Sequence, residues 1–130
     1  MSMTLKQARA IVRTMKAMNA AAQALRAHEA WMEVTIAAAD AGDAAAQEAY
    51  EAVEKDDDSK WCGLNEKDEE AREAAKWAAL SVSADAWKTE EAYEALVDEA
   101  RAVIRASADR AALTAVAAAD SHAPAIRRAM

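Results

Sequence analysis

Forty of the 130 residues are alanine, whereas the chain has only two glycines, one proline and no phenylalanine. Alanine is the strongest helix former, and glycine and proline are the residues that most often interrupt helices. The composition therefore predicts an all-α protein, built as a four-helix bundle or as paired helical hairpins with close packing through alanine. The length fits one domain, so we expect residues 1–130 to form a single helical domain.

Short polar signals divide the chain into helices. Thr4 and Gln7 match a capping box at the start of the first helix. Gly42 and Asp43 are expected to end that helix and to begin the next one. The predicted helices span about 5–39, 44–55, 66–87 and 90–120, with a charged loop at 56–65 in which Asn65 caps the following helix. We expect Pro124 to end the last helix or to open a final turn.

The first predicted helix is unusually long. Ile11, Met18, Leu25 and Met32 recur every seven residues, and Ile36 joins them on one face. A continuous helix of this length would extend roughly 50 Å, whereas a compact domain of this size is about 35 Å across. Two alternatives follow. Either the helix breaks near Asn19 or Ala30, or the protein is elongated or dimeric.

Charge is unevenly distributed along the chain. Residues 1–28 carry five basic groups and no acid, whereas residues 29–58 carry ten acids and one lysine, and the net charge is −7. This balance argues against general nucleic-acid binding and favours a protein partner with a basic surface. The basic stripe of the first helix is interpreted either as a solvated face or as a site for an acidic partner, for nucleic acid or for a second copy. It comprises Lys6, Arg9, Arg13 and Lys16.

Localisation is inferred from a few simple features. Cys62 is the only cysteine, so an intramolecular disulfide framework is excluded and a reducing, cytoplasmic location is expected. No stretch approaches the roughly 18 apolar residues that span a membrane. The N-terminus lacks the apolar core of a secretory signal.

One pair of residues resembles a zinc-protease motif. His28 and Glu29 begin it, but Met32 stands where the second histidine is required, so the motif is incomplete. We expect His28 to lie on the surface. Glu29 projects from the apolar face of the first helix, which indicates a partner arginine, exposure at a helix break, or a buried functional carboxylate.

An acidic run in the predicted loop invites comparison with a calcium-binding loop. An EF-hand starting at Asp56, and continuing with Asp57 and Asp58, would need glycine at its sixth position and glutamate at its twelfth. Trp61 and Lys67 occupy those positions. We therefore expect a solvated loop and no metal site, and the absence of any glycine-rich phosphate loop or catalytic constellation predicts no enzyme and no cofactor.

The four tryptophans are the main candidates for an interaction surface. Trp31 projects from the basic side of the first helix, and Trp61 lies in the predicted charged loop. Trp77 and Trp87 are predicted to share one side of the third helix. Tryptophan is enriched at interface hot spots, so we expect at least one of the four to contact another protein. The alternative is that all four are needed in the core.

These observations favour a non-enzymatic protein–protein interaction module, such as a small inhibitor, adaptor or immunity-type protein that acts on a basic target. A phage-type inhibitor that occupies a nucleic-acid-binding groove is one concrete version. The first alternative is a self-assembling helical protein, and a homodimer is expected in either case. The second alternative is nucleic-acid binding through the basic first helix.

Overall fold

The computed structural model describes the backbone of residues 3–129 and the side chains of residues 3–52 and 60–119. Its backbone forms three helices: α1 (Leu5–Asp40), α2 (Ala44–Leu80) and α3 (Glu90–Ala129). The described residues include no strand, and the helices pack against one another. The predicted all-α fold is therefore confirmed.

The capping box at the start of α1 forms as predicted. The backbone N–H of Gln7 donates to the Thr4 hydroxyl over 3.1 Å, and the N–H of Thr4 donates to Gln7 Oε1 over 3.0 Å. These two hydrogen bonds satisfy backbone groups that have no partner within the helix. Thr89 caps α3 in a similar way, because its hydroxyl accepts a 3.0 Å hydrogen bond from the N–H of Ala92.

The turn between α1 and α2 also follows the sequence signals. Gly42 has a φ of 96°, a backbone conformation that L side chains rarely adopt. Its N–H donates to the carbonyl of Ala39, and the N–H of Asp43 donates to the carbonyl of Ala38, both over 3.1 Å. This is the Schellman pattern of a helix end. The Asp43 carboxylate then accepts hydrogen bonds of 3.0 and 3.2 Å from the first turn of α2.

The predicted loop at 56–65 is wrong, because the backbone is helical throughout it. The predicted helices 44–55 and 66–87 are parts of α2, which ends at Leu80 and not at residue 87. Asn65 lies inside α2 and therefore caps no helix. The charged and polar residues of this segment lower helix propensity by less than about 0.7 kcal/mol each. Extending a helix that exists on both sides costs far less than nucleating a new one.

α1 is continuous, so of the two alternatives for the first helix a break near Asn19 or Ala30 is excluded. One further helix boundary differs from the prediction. α3 continues past Pro124 to Ala129, where the sequence predicted an end near residue 120 or a separate turn. Between α2 and α3 lies a segment of turns, in which Lys88 Nζ and Asp85 Oδ1 are 2.7 Å apart. This hydrogen bond and the charge of Lys88 lower the pKa of the exposed Asp85 carboxyl.

The chain divides into two compact units. The terminal unit comprises Met1–Val12 and Ala79–Met130, and the hairpin unit comprises Arg13–Ala78. The terminal unit contains most of the buried apolar side chains: Met3, Ala8, Ile11, Ala79, Ala86, Tyr93, Leu96, Val97 and Ala100. Within it, Gln7 Nε2 donates to the carbonyl of Ser81 over 3.1 Å, and the Trp87 ring meets the Tyr93 ring edge-on with centroids 4.9 Å apart.

The hairpin unit has a much smaller core. Its buried residues among those described are the apolar Met15 and Ala75 and the polar His28, Thr35 and Asp68. Asp68 Oδ2 lies 3.5 Å from the guanidinium of Arg72, while Asp68 Oδ1 is buried without a hydrogen-bond partner in the described part of the chain. The side chains described in this unit thus bury little apolar surface.

Candidate interaction surface of the hairpin unit

The net charge of the chain resides in the hairpin unit. Residues 13–78 contain fifteen acidic and eight basic side chains, which gives −7. The terminal unit contains eight of each and is neutral overall. A basic partner would therefore be attracted to the hairpin unit, and the attraction would weaken as salt concentration rises.

Three of the four tryptophans are exposed, and all three belong to the hairpin unit. Trp31 and Trp61 are each 41% exposed, and Trp77 is 61% exposed. Trp87 is half-buried in the terminal unit. The prediction that Trp77 and Trp87 share one side of a helix is wrong, because α2 ends at Leu80 and Trp87 lies in the turns that follow it.

His28 is buried, which contradicts the prediction of a surface residue. It is 8% exposed, and its ring stacks on that of Trp31 with centroids 6.0 Å apart and planes inclined by 20°. Thr35, seven residues further, is also buried, whereas Glu29 and Ile36 are exposed. Ile11 is buried and Met18, Leu25 and Met32 are half-buried, so most of the predicted apolar face does point inward. Positions seven residues apart drift by about 20° per heptad around a straight helix, so over three heptads the inner face rotates by roughly 60° toward His28 and Thr35 and away from Ile36.

A groove of about 530 Å³ lies beside α1 in the hairpin unit. Of the described lining residues, six belong to α1 and Trp61 belongs to α2. They include two carboxylates and one guanidinium among apolar side chains. The described lining residues are Arg26, Glu29, Ala30, Met32, Glu33, Ile36 and Trp61. The groove thus places apolar and charged side chains side by side on an accessible surface.

The alternatives for Glu29 can now be compared. Glu29 is exposed and lines the groove, so of the alternatives given for it a buried functional carboxylate is excluded. Glu33 lies one turn further on α1, and Arg26 lies one turn before Glu29. Sequence reasoning identified Glu29 and Trp61 separately but missed that they share one groove. The spacing of Arg26, Glu29, Glu33 and Ile36 along one flank of α1 was the available signal.

The remaining candidate residues lie elsewhere. Trp77 is outside the groove, and the ammonium of Lys76 stands 5.8 Å from the centroid of its ring. Cys62 is an exposed free thiol. The basic residues predicted to form a stripe are all exposed on α1: Lys6, Arg9, Arg13 and Lys16. Asp56, Asp57 and Asp58 lie within α2, but their side chains are outside the described residues.

Among the described side chains, no group of three or more His, Cys, Asp or Glu residues is arranged to hold a metal ion. In the part of the chain that the structure describes, no helix combines the length and apolar character needed to cross a lipid bilayer. No protein-family model, curated protein or solved structure matches this chain.

Proposed function

We propose that this protein is a non-enzymatic protein–protein interaction module whose hairpin unit binds a partner with a basic surface. One observation carries the proposal: the three exposed tryptophans lie on the unit that holds the entire net negative charge. An inhibitor, an adaptor or an immunity-type protein acts in this way, by occupying a surface of another protein.

The two features have complementary roles in such binding. An exposed indole is a large rigid apolar group, and burying it at an interface commonly accounts for 2 kcal/mol or more of binding energy, which is roughly a thirtyfold change in Kd. The acidic charge attracts a basic partner and accelerates encounter, especially at low salt. Tryptophan contacts would thus set the lifetime of the complex, while charge would set its rate of formation.

The experiment is affinity capture from a native lysate at low and at high salt, with the intact protein as bait. Baits carrying Trp31→Ala, Trp61→Ala or Trp77→Ala are compared with the wild type. We expect a partner that is retained at low salt, is reduced at high salt and is lost with at least one of these variants. Leu113→Ala is the control, because Leu113 is 71% exposed but belongs to the terminal unit.

Two results would contradict the proposal. Capture that is equally strong with all three tryptophan variants would show that the exposed indoles take no part in binding. Capture that does not change with salt would remove the role assigned to the acidic charge. Circular dichroism of each bait confirms that the variants keep the helical content of the wild type.

Self-association is a second candidate, and a different observation favours it. Leu113 and Val116 are 71% and 58% exposed on α3, one turn apart in the terminal unit. We expect the mass measured by light scattering to rise with concentration in the wild type, and Leu113→Glu to suppress the rise. A wild-type protein that stays monomeric at every concentration would refute this candidate.

A further inference from the structure

We propose that the groove of the hairpin unit binds an amphipathic α-helix of the partner protein, with apolar residues against Ile36 and Trp61 and basic residues against Glu29 and Glu33. This inference rests on the proposed function and names the kind of partner segment that the unit recognises. Four observations support it: the small core of the unit, the apolar walls of the groove, the spacing of the lining residues and the order of their charges.

The small core described in the hairpin unit leaves apolar side chains beside the groove incompletely covered. Only two of the buried residues described in the hairpin unit are apolar, and three are polar. Met32 is only half-buried on the wall of the groove, and Ile36 and Trp61 remain 37% and 41% exposed there. Helices that present an apolar stripe are stabilised when another element covers it. A third helix laid along the groove would bury these side chains.

The spacing of the lining residues matches a helix better than an extended strand. Arg26, Glu29, Glu33 and Ile36 follow one another along α1 with rises of about 4.5, 6.0 and 4.5 Å. A partner helix repeats the same rises at positions i, i+3, i+7 and i+10. Alternate side chains of an extended strand are about 6.7 Å apart. Over three steps the strand would therefore be out of register by about 5 Å.

The order of the charges defines the partner further. Along α1 the groove presents Arg26, then Glu29, then Glu33. A complementary helix carries one acidic residue that faces Arg26 and two basic residues that face Glu29 and Glu33. A uniformly basic segment would place a cation against Arg26 and lose part of the attraction. The inferred partner helix thus carries an acid–base–base pattern on the flank of an apolar face.

The probe is a labelled, alanine-based helical peptide with this pattern, prepared in both chain directions because the structure of the groove admits either. A leucine stripe supplies the apolar face. Two control peptides are compared with it: one in which each of the three charges has the opposite sign, base–acid–acid, and one of unchanged composition with the charges at alternate positions, as on a strand. Binding to the full-length protein is measured by fluorescence anisotropy. An exposed ion pair changes affinity by about one- to fivefold, so reversing three pairs should weaken binding roughly tenfold.

Variants of the protein locate the binding site. Trp61→Ala should weaken binding of the helical probe, whereas Trp77→Ala should leave it unchanged, because Trp77 is an exposed tryptophan outside the groove. Glu29→Lys combined with Glu33→Lys should weaken binding of the original probe and strengthen binding of the charge-reversed peptide, because two of its three charges then face opposite charges. The charge-matched control combines Glu66→Lys with Glu70→Lys.

Glu66 and Glu70 are a suitable control pair because both are exposed, lie four residues apart on α2 and do not line the groove. Equal effects of the two double variants would show that the probe responds only to net charge, and would overturn the inference. Equal binding of the helical and strand-spaced peptides would also overturn it, as would the failure of every peptide to bind.

A second copy of the chain is the competing occupant. A wild-type dimer that becomes monomeric with Trp61→Ala would place that second copy in the groove and overturn the inference. The proposed function fails separately, if capture from lysate is insensitive to every exposed tryptophan. Capture that is lost with Trp31→Ala or Trp77→Ala, but not with Trp61→Ala, would support the proposed function and refute the groove as the binding site.

Discussion

Replacing each of the two glycines by alanine should have opposite effects on stability. Gly63 lies inside the helical backbone of α2, and Gly42 ends α1 with a φ of 96°. Apart from the adjacent residues and the backbone of its own helix, a Cβ atom added at either position would meet no described atom within 4 Å. Steric clash therefore contributes to neither substitution, and backbone conformation alone decides whether each one stabilises or destabilises the protein.

The magnitudes follow from the backbone conformation. In a helix interior, alanine is more favourable than glycine by about 0.8–1.0 kcal/mol, so Gly63→Ala should stabilise the protein by that amount. At Gly42 the left-handed conformation costs an L residue about 1–2 kcal/mol. Part of that cost is offset by the lower entropy of alanine in the unfolded chain. We expect Gly42→Ala to destabilise by about 1 kcal/mol, so the two variants differ by about 2 kcal/mol.

Urea denaturation followed by far-UV circular dichroism measures both effects. Gly42 and Gly63 belong to the same unit, so they report on the same part of the structure. The urea concentration at the midpoint should rise for Gly63→Ala and fall for Gly42→Ala, while the dependence of the unfolding free energy on urea stays unchanged. In thermal unfolding, 1 kcal/mol corresponds to a shift in Tm of roughly 3–6 °C for a chain of this size.

A neutral or destabilising Gly63→Ala would refute the continuous α2 helix. If residues 56–65 formed the loop predicted from the sequence, alanine at Gly63 would gain no helix propensity. Gly63→Ala would even destabilise the protein if Gly63 had a positive φ. A neutral Gly42→Ala would likewise contradict the observed helix end.

Three other substitutions test the packing, the capping and the pH dependence. Ile11→Ala should destabilise the protein by about 2–4 kcal/mol because Ile11 is fully buried. Ile36→Ala should cost less than about 1 kcal/mol because Ile36 is 37% exposed. Equal midpoints of the two variants in urea would contradict this difference in burial. Thr4→Ala removes the cap of α1 and should cost about 1 kcal/mol by the same measurement, so no loss would exclude the cap. Burial raises the pKa of Tyr93 above its ordinary value of 10.0. The folded state therefore resists its ionisation, so the stabilisation is complete below pH 10 and is lost as the pH rises through the raised pKa. Tyr93→Phe should flatten the decline in stability measured between pH 9 and pH 11, and an unchanged decline would rule out Tyr93 as its source.

The helix ends were predictable where a short motif contains its own hydrogen-bond partners. Thr4 and Gln7 satisfy each other within one turn, and Asp43 accepts from the first amides of α2. The interior of α2 was predicted incorrectly because charged residues and Gly63 are typical of loops when taken alone. Their cost is small compared with the cost of ending one helix and nucleating another.

The groove shows a different limit of sequence reasoning. The exposed tryptophans and the acidic charge could be read from the sequence as candidates for binding. The sequence could not reveal that Trp61 lines the same groove as Glu29 and Glu33, because these residues are distant in sequence and the packing of α1 against α2 sets their register. The burial of His28 was missed for a related reason. The inner face rotates by about 20° per heptad around a helix as long as α1, and the packing of the neighbouring helix decides which residues at its edge are buried.

The sequence by itself determined the helical class, the cap of α1, the turn at Gly42 and the uneven charge. These properties depend on composition and on residues within a few positions of one another, so local energetics decide them. Tertiary structure alone decided which tryptophans are exposed, which face of α1 is buried and where the groove lies. Those properties depend on how long helices pack, and alanine-rich helices present many similar faces, so small differences in register select the one that is used.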